Sequence, residues 1–189
     1  GSEMCIRDSY MDDRLNTRVS FYRMKDKNAA APLDSNNKKT RYAALGKRVM
    51  EGVETEISGA MTPKWQIHAG YSYLHSQIKT ASNSRDEGIF LLMPKHSANL
   101  WTTYQVTSGL TIGGGVNAMS GITSSAGIHA GGYATFDAMA AYRFTPKLKL
   151  QINADNIFNR HYYARVGSES TFNIPGSERS LTANLRYSF

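Results

Sequence analysis

The chain ends with 179-RSLTANLRYSF-189, in which apolar and polar residues alternate with a period of two. In an extended strand this pattern places apolar side chains on one face and polar side chains on the other. A strand tilted across a bilayer needs ~9–11 residues, which is about the length of this stretch. The stretch therefore predicts a two-faced β-strand that is long enough to cross a membrane.

Seven segments upstream show the same alternation, and each is long enough for one strand. They cover residues 15–21, 53–61, 65–73, 98–106, 110–118, 136–144 and 148–155. No apolar run approaches the ~18 residues of a transmembrane helix, which the mean hydropathy of −0.43 also argues against. The chain is therefore predicted to be all-β, with about eight antiparallel strands.

Short and long connections alternate strictly along the chain. The short turns lie at residues 62–64, 107–109 and 145–147, with a fourth predicted at 12–14. The long polar connections are expected at residues 27–47, 79–95, 120–132 and 159–178. All long connections should therefore emerge at one end of the sheet, as in outer-membrane barrels with short periplasmic turns and long extracellular loops. A soluble antiparallel sandwich is the alternative on this pattern alone.

The composition of the two predicted faces favours a membrane barrel. Charged side chains fall on the polar face, and no segment supplies a helix to cover the apolar one. Lipid outside and a hydrated lumen inside account for both faces. Bulky aromatic residues also cluster beside the short turns or the C-terminus, as an interfacial belt would require. They are Trp65, Tyr104, Tyr142, Phe144, Tyr187 and Phe189.

The most specific motif is 153-NADNIFNRHYY-163, which resembles the N-x-x-N-[LI]-F-[ND]-x-x-Y-Y segment of TonB-dependent outer-membrane receptors. The matching positions are Asn153, Asn156, Phe158, Tyr162 and Tyr163. The siderophore-receptor branch is similar at 52-GVETE-56, 94-PKHSANLW-101 and 175-PGSERS-180, although the last segment departs from the usual G-x-P-R spacing. The resemblance extends from about Tyr10 to Phe189.

This resemblance implies an outer-membrane receptor that imports ferric siderophores with energy from the TonB complex. Family members close about 22 strands around an N-terminal plug, so residues 10–189 are expected to be the C-terminal part of a receptor barrel. Iron would stay on the siderophore, with no cofactor bound directly. The resemblance suggests four ligand contacts in the last loop, although packing of that loop or a position at the membrane interface is the alternative role. They are Tyr162, Tyr163, Arg165 and Phe172.

The resemblance also implies that the barrel-insertion machinery recognises the terminal aromatic residue, Phe189.

Segment 25–48 has a net charge of +5 and is expected to attract lipopolysaccharide phosphates or an anionic chelate, unless it is only a solvated loop. Nucleic acid is a poor candidate partner because no recognition motif accompanies these charges. Residues 1–9 fit no strand pattern and are expected to be non-native or unstructured. No export signal is visible, so an exported protein is expected to begin upstream.

Other chemistry finds little support in the sequence. Cys5 is the single cysteine, and the five histidines lack ligand spacing, so no metal site is predicted. Glu54 and Glu56 share a strand face, but a polar ladder explains them better than a glycosidase pair. Gly113–Gly115 is expected to bend or bulge a strand. No catalytic residue is predicted, although an outer-membrane enzyme is one alternative. Another is a complete eight-stranded barrel with an adhesive or structural role.

Overall fold

The computed structural model describes residues 2–10, 14–32, 42–80, 88–89, 93–123, 128–166 and 173–189. These residues form fourteen β-strands. They are β1 (Ser2–Tyr10), β2 (Leu15–Pro32), β3 (Tyr42–Thr62), β4 (Trp65–Thr80), β5 (Gly88–Ile89), β6 (His96–Gln105), β7 (Leu110–Met119), β8 (Ile122–Thr123), β9 (His129–Ala130), β10 (Tyr133–Thr145), β11 (Leu148–Asp155), β12 (Tyr163–Arg165), β13 (Ile174–Pro175) and β14 (Ser180–Tyr187). Within the described ranges, no helix has the length and apolar character needed to span a membrane.

One antiparallel sheet contains ten of these strands. Its path runs β1-β2-β3-β4-β6-β7-β10-β11-β14, and β5 adds to the end of β4. Neighbours in the sheet follow chain order, which makes a simple meander. All eight predicted strands lie on this path, so the all-β prediction is confirmed. Two small hairpins, β8–β9 and β12–β13, lie within the connections predicted at 120–132 and 159–178.

The structure corrects the expectation that residues 1–9 form no strand. Residues 2–10 form β1, which pairs along its whole length with β2, from Ser2 opposite Arg23 to Tyr10 opposite Leu15. Asp8 interrupts the apolar alternation of this segment, so a local pattern misses it. However, backbone hydrogen bonds to β2 can hold β1 in register regardless of which side chains β1 carries. The non-native origin of the segment and the domain boundary at residue 10 remain predictions.

The connection predicted at residues 27–47 is also shorter in the structure. β2 continues to Pro32, which pairs with Tyr42 at the start of β3, and β4 continues to Thr80 opposite Lys47. Beyond the apolar zone both faces of a hairpin meet water, so the alternation disappears while the backbone ladder persists. Of the charged side chains in segment 25–48, only those of Lys25 and Asp26 fall in the described set.

The strand register confirms the two faces that the sequence predicts, because directly paired residues share a face of the sheet. The apolar face includes the row Ala69, Leu100, Val116 and Phe136. The polar face includes the row Arg18, Glu56, Gly70, Asn99 and Asn117. We call these two surfaces the apolar face and the polar face.

The apolar face is not covered by any described part of the chain. The exposed fraction is 74% for Leu181, 68% for Leu185, 45% for Tyr142 and 39% for Ile152. A soluble sandwich would bury these side chains together in a dry core. An apolar surface of this extent instead needs an apolar surrounding, as the membrane interpretation requires.

Aromatic side chains mark both ends of the apolar face. All six residues of the predicted belt are exposed at the end with the short turns. There, the Trp65 indole nitrogen donates a hydrogen bond to Thr102 Oγ1 at 2.7 Å. The sequence analysis missed a second group at the opposite end. In that group Tyr71 Oη lies 2.8 Å from His96 Nδ1, and Phe136 makes an edge contact with Phe158 at 5.4 Å between centroids.

The threonine shared by the short turns has a common role. Thr107 Oγ1 accepts hydrogen bonds from the Gly109 and Leu110 N–H groups at 3.3 and 3.0 Å. Thr145 Oγ1 accepts equivalent bonds from Lys147 and Leu148. A hydroxyl that accepts from nearby N–H groups stabilises a tight turn without a left-handed residue.

Replacing Thr145 by Val is therefore expected to destabilise the β10–β11 turn by about 1 kcal/mol, because the shape is kept and the acceptor is lost. The free energy of unfolding should be measured by denaturant titration of a full-length receptor that contains this segment. Thr111→Val, inside β7, is the matched control. Equal stability of the two variants would show that the turn hydroxyl contributes nothing.

Gly113–Gly115 does not bulge, contrary to expectation. The three glycines pair in unbroken register with β6 on one side and β10 on the other. Gly115 instead makes room for a neighbour, since a Cβ there would lie 2.5 Å from the Trp101 ring. The absence of a side chain at Gly115 therefore serves packing on the polar face.

Candidate functional site

The candidate site lies where β11 leaves the sheet and the chain enters the connection to β14. We call residues 156–179 the β11–β14 loop, of which 156–166 and 173–179 are described. Asn156 begins the loop with φ of 48°, and Asn159 repeats this left-handed conformation with φ of 51°. Asparagine tolerates this region better than most residues, which explains its use at both positions.

The Asn156 side chain joins the two ends of the loop. Its exposed fraction is only 4%. Its amide nitrogen donates hydrogen bonds to the carbonyl oxygens of Arg160 at 2.9 Å and Ser177 at 3.0 Å. Its amide oxygen accepts one from the Arg160 N–H at 2.8 Å. One buried side chain thus ties the outgoing segment to the returning segment.

Asp137 connects this loop to the wall of the sheet. Its Oδ1 accepts a hydrogen bond from the Asn156 N–H at 2.8 Å, and its Oδ2 accepts one from the Asn117 amide at 3.0 Å. Asn117 and Asp137 lie on β7 and β10, so the bonds cross two strands. Hydrogen bonds to a carboxylate are stronger than those between neutral groups. The loop is therefore anchored to the polar face.

A second set of bonds fixes the return to β14. Asn159 Oδ1 accepts a hydrogen bond from the Arg179 N–H at 2.9 Å. Ser180 donates its hydroxyl to Asp155 Oδ2 at 2.9 Å. The predicted motif residue Asn153 lies below these contacts and accepts a bond from the Gln151 amide at 2.9 Å. The loop base is thus held at several independent points.

Tyr162 packs within the loop base. Its ring stacks on Tyr133 with 3.9 Å between centroids. On the returning segment, the Gly176 N–H donates to the Tyr162 carbonyl at 2.8 Å. A Cβ at Gly176 would lie 2.0 Å from the Tyr162 ring, so only glycine fits there. The structure therefore places Tyr162 in loop packing, with part of its ring still accessible.

The other predicted ligand contacts have different positions. Tyr163 and Arg165 lie on β12 with exposed side chains, and β12 pairs with β13. Phe172 lies outside the described residues. Phe158, a motif residue, is 72% exposed and contacts Phe136 on the apolar face. The motif therefore combines a loop anchor, Asn156, with a side chain directed to the apolar surroundings.

Below the loop, the polar face has a depression whose lining includes amide, hydroxyl and charged side chains. Arg18 and Glu56 form an ion pair across it at 3.2 Å. Glu54 also lines it. The lining residues include His68, Ser72, Ser97, Asn99, Asn117 and Tyr133. Among the described residues, no three histidine, cysteine or acidic side chains are grouped to hold a metal.

Comparison with known proteins establishes the family. The sequence model described as "TonB dependent receptor-like, beta-barrel" matches residues 6–157. The chain belongs to the TonB-dependent receptor family. Its strands therefore form part of an outer-membrane β-barrel, and both the resemblance and the predicted location are confirmed.

Several curated relatives and solved structures are receptors of this family. The ferric-pyoverdine M114 receptor PbuA of Pseudomonas sp. (strain M114) is 28% identical over 197 residues, covering 99% of this chain and 24% of its own length. The catecholate siderophore receptor Fiu of Escherichia coli (strain K12) is 29% identical, covering 98% of this chain and 25% of its own. The crystal structure of the siderophore receptor PiuA from Acinetobacter baumannii superposes with a TM-score of 0.86 at 26% identity.

The PiuA superposition covers 98% of this chain and 28% of PiuA. The chain thus spans about a quarter of the length of these TonB-dependent receptors. Sequence reasoning identified Asn156 as a motif residue but missed Asp137 and Ser177, its partners. Those partners lie 19 and 21 residues away, so no local spacing could reveal them.

Proposed function

We propose that this chain contributes the last strands of an outer-membrane receptor that imports ferric siderophores. The observation that carries the proposal is the match of residues 6–157 to the family, together with relatives named for ferric pyoverdine and for catecholate siderophores. The anchored loop and the polar depression support it, because a receptor needs polar groups that face a hydrated interior. Iron would be carried on the siderophore, so the protein itself would bind no cofactor.

The partners follow from this proposal. The TonB complex would energise transport, lipid and lipopolysaccharide would surround the apolar face, and the insertion machinery would read Phe189. No catalytic role is proposed, and nucleic acid is not a proposed partner. The relatives are named as receptors, which supports a transport function rather than an enzymatic one.

A complete eight-stranded barrel is the less favoured alternative. It would require the first and last strands of the sheet to pair. Within the described residues, β1 and β14 are instead the two ends of the strand path. The relatives are also about four times longer than this chain, which favours a larger barrel.

The proposal can be tested by iron uptake. A full-length receptor that contains this segment should be expressed in a bacterium that lacks its own siderophore receptors. Uptake of ⁵⁵Fe should then be measured with ferripyoverdine and with a ferric catecholate, with and without TonB. TonB-dependent uptake of either probe is the expected result. Uptake of neither probe by a correctly inserted receptor would contradict the proposal.

Among the candidate contacts, Tyr163 and Arg165 are exposed and suited to an organic anion. Replacing each with Ala is expected to weaken binding of the transported ferric probe by about three- to tenfold, since each would remove one polar or aromatic contact. Binding to isolated outer membranes measures this effect. Lys149→Ala, far from the loop on β11, is the control. Unchanged affinity in both loop variants would remove these residues from the proposed site.

A further inference from the structure

We propose that Asn156 and Asp137 are positioning residues that hold the base of the β11–β14 loop for ligand binding. The effect on ligand affinity rests on the proposed function, whereas the effect on loop position does not. Neither residue needs to contact the ligand. They act through the exposed residues beyond them, Tyr163 and Arg165.

The first argument is the connectivity of Asn156. Its side chain makes three hydrogen bonds, of 2.8 to 3.0 Å, that reach both ends of the loop. Because Asn156 is buried, its side-chain amide does not have water as an alternative partner. Loss of the side chain would leave the Ser177 carbonyl and the Arg160 backbone without their partner. The outgoing and returning segments would then be released from each other.

The second argument is that Asp137 divides its two carboxylate oxygens between the loop and the wall. Oδ1 accepts from the Asn156 N–H, and Oδ2 accepts from the Asn117 amide. The Ile157 N–H adds a parallel bond to the Phe136 carbonyl at 2.8 Å. The direction of the loop at its origin is therefore set by β10. The position of β12, six residues beyond Ile157, depends on that direction.

Two series of variants separate these contributions. Asn156→Gly accepts the left-handed backbone but loses all three side-chain bonds, so backbone strain does not enter the comparison. Asn159→Gly is matched to it, because Asn159 has nearly the same φ and its side chain accepts a single bond from Arg179. Asp137→Leu removes both acceptors while keeping a side chain that branches at Cγ. Asp137→Asn keeps an acceptor for Asn156, and rotation of the Asn117 amide restores the second bond.

The experiment uses a full-length receptor that contains this segment, with Cys5→Ser and no other cysteine. A spin label at Ala164→Cys reports the mobility of β12 in lipid vesicles. Binding of ⁵⁵Fe-labelled ferripyoverdine and of a ferric catecholate is measured on the same variants. Resistance of the folded barrel to SDS at room temperature selects the samples that are inserted correctly.

We expect Asn156→Gly and Asp137→Leu to mobilise the label and to weaken binding of the transported probe by about tenfold or more, given the several bonds lost. Asn159→Gly should have a smaller effect, and Asp137→Asn should remain within about twofold of the parent, since its hydrogen bonds can be re-formed. Rescue by Asp137→Asn distinguishes hydrogen bonding from a requirement for charge.

Unchanged label mobility in Asn156→Gly and Asp137→Leu would overturn the proposal, whatever the binding result. A mobilised label with unchanged affinity would overturn the link between loop position and ligand. If the parent receptor binds neither ferric probe, the proposed function fails. The mobility measurement still decides whether these residues position the loop.

Discussion

Replacement of Leu100 by Arg is expected to lower the free energy of unfolding of a full-length receptor by about 2–4 kcal/mol, the cost of a cationic side chain near the bilayer midplane of a barrel. Leu100 lies on the apolar face, halfway between His96 and Tyr104 at the ends of β6. It is 37% exposed in the absence of lipid. Denaturant titration in lipid vesicles, followed by tryptophan fluorescence, measures the change.

The neighbouring residue provides a matched control. Asn99 lies on the polar face, where Gly70 and Asn117 are its direct partners. Asn99→Arg introduces the same charge into a hydrated surface, so we expect a change of no more than about 0.5 kcal/mol, as for most surface substitutions. Equal destabilisation by the two variants would mean that the apolar face does not meet hydrocarbon.

Replacement of Gly59 by Ala is the second large effect that we expect. Gly59 has φ of 139°, and a Cβ there would lie 2.0 Å from the carbonyl oxygen of Arg14. The Ala60 N–H donates to that same oxygen at 2.8 Å, so the backbone cannot move away without losing this bond. Strain of this kind costs about 1–3 kcal/mol before the clash is added. Refolding yield and the free energy of unfolding of the receptor should both fall.

Gly114 offers the control for this substitution. It lies in β7, and a Cβ there would meet its nearest neighbour at 3.6 Å, an ordinary contact distance. Gly114→Ala should therefore leave stability unchanged within about 0.5 kcal/mol, the range of most substitutions that disturb no packing. A Gly59→Ala receptor as stable as Gly114→Ala would show that the hairpin end tolerates a side chain.

Eight strands and both faces of the sheet could be predicted because their determinants are local. Alternation fixes which side chains share a face, and the turn at residues 145–147 carries its own hydroxyl acceptor in Thr145. These features need no knowledge of distant residues. The outer parts of β2 and β3 could not be predicted in this way. Water on both sides removes the alternation there, although the ladder continues to Pro32 and Tyr42.

The candidate site was predictable only in part. The motif located Asn156, but its hydrogen-bond partners include Asp137 and Ser177, which reach it through the register of β10 with β11 and the return of the chain. Similarly, the aromatic character of Phe158 and Tyr162 was visible in the sequence. In the structure Phe158 packs on the apolar face and Tyr162 packs on Tyr133. These contacts depend on the tertiary fold, so the sequence does not reveal them.

The length of the β2–β3 hairpin has a consequence for recognition of the receptor by antibodies. Its strands of 18 and 21 residues exceed the ~9–11 that a bilayer crossing requires, so we expect the surplus to project from the cell surface as a ridge. Backbone pairing in this hairpin continues to Pro32 opposite Tyr42, with register shifts between Asp26 and Ala30. We therefore expect the paired backbone of this hairpin to form a conformational epitope for immunisation or diagnostic capture.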